Sequence, residues 1–178
     1  LIKTTVSSQT SIFSHKWLKD CKVRNNRLWV ITDNKIGYLN TEEINEVNWI
    51  DYTLTKNNEN KLDYFLDFDV STKNEIWIGT KYQLIHLKLD KNDKINNSKH
   101  IKSKVDLKKI LIDDAGNVFI SAHKQGLIKI DGRQHQYSYI KLPKGYENHL
   151  CHSFTEDNQG YYWIGGKTGI FAYNTKTS

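Results

Sequence analysis

The chain has 178 residues, a formal net charge of +6 and only 38% hydrophobic residues, and its five Trp, ten Tyr and six Phe supply much of the apolar surface available for a core. That length accommodates one domain with a substantial core and requires no second. No apolar run approaches the ~20 residues that cross a bilayer, and a chain that opens on Leu1 and contains no Met is expected to be part of a longer polypeptide, with any leader or membrane span outside it.

In chain order, a strand-like segment over residues 1–8 comes first, followed by a unit that recurs four times. The first unit has an inner strand over 17–23, a turn at Asn26, the triplet Leu28-Trp29-Val30, a third strand over 36–39 and an outer strand over 46–52. The second runs through 64–70, Asn74, Ile76-Trp77-Ile78 and 84–87, and its outer strand falls within a lysine-rich stretch. The third has 107–113, Gly116, Val118-Phe119-Ile120, Gly126 and 127–130, then an outer strand over 137–142. The fourth has 150–155, Gly160, Tyr162-Trp163-Ile164, Gly169 and 170–173, and ends without an outer strand.

The central aromatics Trp29, Trp77, Phe119 and Trp163 stand 48, 42 and 44 residues apart. A period of about 40–50 residues filled with strand patterning means propeller blades, because helical repeats are usually shorter and periodic at 3.6. The expected fold is all-β: four four-stranded antiparallel blades over 14–52, 62–105, 106–143 and 148–178, a segment of a larger propeller. Residues 1–8 then serve as an outer strand of blade four or of a further blade. A blade alone exposes an apolar face, so the triplet aromatics are expected to pack between neighbouring sheets. Three residues before each aromatic stands Asn or Gly, as a turn with positive φ demands.

Candidate chemistry is sparse. Cys21 and Cys151 form no CxxC pair, which excludes zinc and thioredoxin-like sites, and both are expected as buried thiols in inner strands. Gly165-Gly166-Lys167-Thr168 resembles the end of a phosphate loop but lies between two strands with no following helix, which makes it a hairpin turn. Asp113, Asp114, Glu156 and Asp157 recur at the same turn of successive repeats, where carboxylates accept backbone hydrogen bonds. The histidines show no metal-ligand spacing, although His152 on an inner strand is placed to face the axis. No catalytic residue, metal or cofactor is expected.

Charge is uneven: eight lysines against three aspartates between Lys88 and Lys109 leave a local surplus of five. This edge suits an anionic polysaccharide, or else serves as a solvated barrier to strand-to-strand aggregation. Nucleic acid is not expected, since arginines and interleaved aromatics are missing there.

The repeats resemble the two-component regulator propeller repeat. The fourth carries the pattern from Phe154 to Gly166 with Asp157, Gly160, Trp163, Ile164 and Gly165, then Thr168-Gly169-Ile170; the third carries it from Ile112 to Ile120, then Gly126-Leu127. The second keeps Ile76-Trp77-Ile78-Gly79-Thr80 but has Ser71 and Thr72 in place of the acid, and the first has Val23 there. The resemblance implies a periplasmic sensor segment of a hybrid two-component protein, binding a glycan-like ligand and signalling across the membrane to a histidine kinase. Expected partners are an oligosaccharide, neutral or anionic, and other propeller units through self-association. Trp17, Trp49, Tyr146 and His152 are the candidate ligand-stacking residues. The rival readings are a protein-interaction scaffold and a propeller hydrolase or lyase with an axial site drawn from Asp67, Asp69, Cys151 and His152.

Overall fold

The computed structural model describes residues 18–42, 46–52, 54, 63–103, 107–113, 115–122, 126–131, 134–140, 142, 151–167 and 169–174. Blade one consists of β1 (Asp20–Arg24), β2 (Arg27–Ile31), β3 (Ile36–Asn40) and β4 (Asn48–Trp49). Blade two has β5 (Phe65–Val70), β6 (Glu75–Thr80), β7 (Gln83–Leu89) and β8 (Ile95–Lys102). Blade three has β9 (Leu107–Ile112), β10 (Val118–Ala122), β11 (Gly126–Ile130) and β12 (Tyr137–Ile140). Blade four shows β13 (Cys151–Glu156), β14 (Tyr161–Gly166) and β15 (Gly169–Asn174). Each sheet is an antiparallel meander in sequence order, and no helix occurs among the described residues.

The turn that opens each triplet follows the sequence rule. Asn26, Asn74, Gly116 and Gly160 have φ of 57°, 57°, 83° and 81°. Only glycine, and asparagine with its short polar side chain, adopts this left-handed conformation routinely.

Alternation along the second strand then decides which blade touches which. In blade two, Ile76 and Ile78 face blade one and join a core with Trp29, Tyr38, Phe65 and Phe68. Trp77 between them points the other way, into the core that holds Leu107, Ile110, Val118 and Ile120 of blade three. Phe119 in turn faces Tyr162 and Ile164 of blade four. Each central aromatic therefore inserts into the aliphatic flank of the next blade, and Trp29, Trp77 and Phe119 are at most 1% exposed. Burying a side chain of this size contributes roughly 2–3 kcal/mol.

Two expectations fail. Trp163 is 42% exposed, because it lies on the face of blade four turned away from blade three, and no described sheet packs there. Cys21 is a free, exposed thiol and not a buried one. It alternates with Asp20 and Lys22, which take the inward face of β1. The side chain of Cys151, the segment 1–8 and the interblade connector around Tyr146 lie outside the described residues.

Inner strands join blade to blade: β1 packs on β5, β5 on β9 and β9 on β13. An inner strand has a sheet partner on one side only, leaving N–H groups unpaired on the axial edge. Asp67 and Asp69 of β5 supply the acceptors, with Asp67 Oδ2 accepting the N–H of Ile110 at 2.5 Å and Asp69 Oδ2 that of Ile112 at 2.8 Å.

Candidate functional site

Two places gather polar chemistry. The first is a groove of about 750 Å³ between the outer strand of blade one and the β7–β8 turn of blade two, lined among others by Tyr38, Asn48, Trp49, Asp51, Asn92 and Asp93. Trp49 is 39% exposed, and the Nζ of Lys35 sits 5.7 Å from its ring centroid. It reaches this position because its register partner is Gly37. A Cβ on Gly37 would stand 2.8 Å from Val47 Cγ1 and 2.9 Å from the Trp49 ring.

The groove floor is fixed by charge. Arg27 donates two hydrogen bonds to Asp93 at 2.8 and 3.1 Å, and the Tyr38 hydroxyl donates a third at 2.6 Å. The guanidinium also lies 4.0 Å over the Tyr38 ring. Burial alone would raise the Asp93 carboxyl, but the Arg27 and Tyr38 hydrogen bonds outweigh it and hold it below the usual carboxylate range. Burial and the bond to Asp93 push the Tyr38 phenol up. One ring half open to solvent, with neutral amides and a carboxylate beside it, can stack on a sugar face and bond its hydroxyls.

The second place is the axis. Lys109 of β9 bridges Asp20 of β1 and Asp67 of β5, each at 3.1 Å. Lys22 reaches across from blade one to donate to the Ile110 carbonyl at 2.9 Å, and Arg24 contacts Asp69 at 3.3 Å. Burial raises the fully enclosed Asp67 to about 6, against the pull of Lys22 and Lys109. Asp20 moves down: burial opposes the shift, but its bonds to Asp67 and Lys109 prevail. Two carboxyls pushed apart in this way are the pattern of acid–base pairs. Here, however, both oxygens of Asp67 are engaged, by Lys109 and by the Ile110 N–H, and it has no exposed surface.

Of the stacking residues expected from sequence, the structure places Trp49 in the groove. Trp17 and Tyr146 lie outside the described residues. His152 is exposed and sits where the register of β13 against β14 shifts, between Cys151 and Ser153. It is therefore not brought together with Trp49, which belongs to blade one. Asp113 and Asp157 hold the turns expected of them: Asp113 Oδ1 accepts the Asn117 N–H at 2.6 Å, and Asp157 Oδ1 accepts those of Gln159 and Tyr161. In the phosphate-loop lookalike, Gly165 and Gly166 are the last residues of β14, and β15 begins at Gly169. No group of three metal-ligating side chains occurs among the described residues.

Sequence reasoning missed the axial cations and the Arg27–Asp93–Tyr38 cluster. For the axis a signal existed, since Asp20, Lys22 and Arg24 alternate along a strand expected to be half-buried.

The described chain is thus an arc of four propeller blades. No family model matches the sequence, and no curated protein does. Solved structures match the fold. The extracellular domain of a putative hybrid two-component system from B. thetaiotaomicron aligns with TM-score 0.67 at 18% identity, over 96% of this chain and 25% of that one. Virginiamycin B lyase from Staphylococcus aureus, crystallised with quinupristin, aligns with TM-score 0.60 at 13% identity, over 93% and 58%. A protein of unknown function from Bacteroides caccae gives 0.65 at 7%, over 92% and 59%. The chain spans a little over half the length of the lyase, and these identities carry the propeller fold alone. No helix among the described residues is long and apolar enough to cross a membrane.

Proposed function

We propose that this chain is a ligand-recognition segment of an extracytoplasmic sensor, with a glycan-like ligand seated in the Trp49 groove and the signal passed to a histidine kinase. The observation that carries the reading is the half-exposed Trp49, held over the groove by Gly37 and flanked by Asn48, Asp51 and Asn92. The repeat resemblance and the structural likeness to a two-component extracellular domain supply the sensor context. Calorimetric titration with a panel of neutral and acidic oligosaccharides tests it. At least one should bind wild type and lose affinity in Trp49→Ala; a full panel without a Trp49-dependent binder ends the reading.

The lyase likeness and the axial Asp20–Lys109–Asp67 set favour a second reading, an axial acid–base enzyme. It requires substrate to reach Asp67, which is enclosed. Turnover abolished by Asp67→Asn in a protein that remains folded would support it.

A further inference from the structure

We infer that a second, amide-lined pocket borders the Trp49 groove, and that the two together take an uncharged oligosaccharide long enough to reach both. The inference rests on the proposed Trp49 site and adds a length and a charge requirement to it. The pocket has a volume of about 350 Å³ and is lined by Asn25, Asn26, Arg27, Asn40 and Glu42. Arg27 makes the shared wall, since its guanidinium is hydrogen-bonded to Asp93, which lines the groove.

The walls of this pocket are held in place. Asn25 and Asn26 have φ of 54° and 57°, as a two-residue turn between paired strands requires. The Asn26 carbonyl accepts the Thr41 N–H at 3.2 Å and the Thr41 hydroxyl at 2.9 Å, which closes the turn onto the segment carrying Asn40 and Glu42. Asn25 Nδ2 donates to the Ser71 carbonyl at 3.1 Å and ties the turn to blade two. Asn40 is the register partner of Arg27. The side chains of Asn26, Asn40 and Glu42 have no hydrogen-bond partner among the described residues. An amide offers a donor and an acceptor, as a sugar hydroxyl does, and walls fixed beforehand lower the cost of binding.

Charge sets the class of sugar. Glu42, Glu46, Asp51 and Asp93 line the two cavities against Arg27 and Lys94, a surplus of two negative charges. The lysine-rich stretch from Lys88 to Lys109 does not offset it, because Lys94 alone of its described lysines lines the groove. A uronate or sulfate would meet carboxylates with too few cations to pair it, whereas uncharged hydroxyls donate to carboxylates and amides alike.

The test is calorimetric titration of the full chain with cello-, malto- and xylo-oligosaccharides from disaccharide to hexasaccharide, beside oligogalacturonides of the same lengths. In a neutral series that binds, affinity should step up about tenfold, the worth of one or two hydrogen bonds, at the length that first reaches the second pocket. Asn40→Ala should remove most of that step, as should Asn26→Gly, which keeps the positive-φ turn. Neither should change the Trp49-dependent affinity for the shorter sugars. The oligogalacturonides should bind more weakly at every length, and Glu42→Gln combined with Asp51→Asn should narrow the gap. Trp49-dependent binding with no step, or with a step indifferent to both asparagine variants, overturns this inference and leaves the groove reading intact. Oligogalacturonides that bind as tightly as the neutral series overturn the charge requirement. A panel without any Trp49-dependent binder overturns both readings.

Discussion

Asp157 Oδ2 accepts the indole N–H of Trp163 at 2.7 Å, from a turn six residues earlier in the chain. The equivalent turn position in blade one holds Val23, and there the buried Nε1 of Trp29 has no hydrogen-bond partner among the described residues. Between these two blades, the indole with a turn carboxylate six residues before it is satisfied and the one without is not. A buried donor left unpaired costs about 1–3 kcal/mol. Val23→Asp should therefore stabilise the protein, by up to about 1 kcal/mol after the new carboxylate is desolvated. Urea unfolding monitors this; an unchanged or lower midpoint would show that the turn carboxylate cannot reach Trp29.

The Gly79 seat predicts overpacking. Gly79→Ala should cost about 1–3 kcal/mol through collision with Leu107 and Ile110. Combining it with Leu107→Ala should recover part of that loss, giving a coupling energy that two independent sites would not show.

Histidine chemistry sets an acid limit. His86 stacks on Trp77 with centroids 4.1 Å apart and lies between Glu75 Oε2 at 3.3 Å and His135 Nε2 at 3.0 Å. Burial lowers it from 6.5 to about 4; Glu75 opposes this, and the neighbouring His135 and Lys88 reinforce it. The unfolded chain therefore binds this proton more readily between those values. The contribution is complete above pH 6.5 and is lost as pH falls towards 4, on the order of 3 kcal/mol. Asp67, raised to about 6, acts in the opposite sense, since its native form takes up a proton first. From pH 4 to 7 the unfolding free energy should rise more steeply in Asp67→Asn, where His86 acts without its counterweight, than in wild type, and that rise should be lost or reversed in His86→Gln, where Asp67 acts alone. Slopes of equal sign and size in the two variants would remove His86 as the group responsible.

The groove floor makes a further prediction. Asp93→Asn keeps the shape but removes the charge that Arg27 and Tyr38 share, and should cost about 1 kcal/mol once solvent screening is allowed for. It should also lower the Tyr38 pKa, because the carboxylate that raises it is gone. Ultraviolet titration of Tyr38, assigned against Tyr38→Phe, reads this directly.

The blades were legible from the sequence because each encodes its own period: a turn of Asn or Gly, an alternating triplet and a second apolar strand. Local pattern specifies such elements, and register follows from the alternation. Burial of the fourth aromatic was not legible. Trp163 shares the Trp-Ile-Gly run of Trp77, and its exposure depends on what packs beside the sheet, which no window around it records. The groove was half legible. Trp49 stood out as a ring on an outer strand, but Arg27, Tyr38 and Asp93 are brought together from two blades across 66 residues of chain. The axial bridge is less legible still, since Lys109 meets Asp20 across 89 residues. Charges of that kind resemble ordinary solvated lysines until the blades close around the axis.

The stacking of blade on blade is tested most directly by ¹⁹F NMR of the 5-fluorotryptophan protein with a soluble paramagnetic agent, resonances being assigned by single Trp→Phe variants. The structure predicts that Trp29 and Trp77 stay sharp while Trp49 and Trp163 broaden. Strong broadening of Trp29 or Trp77 would contradict the arrangement in which each central indole lies sealed against the next sheet.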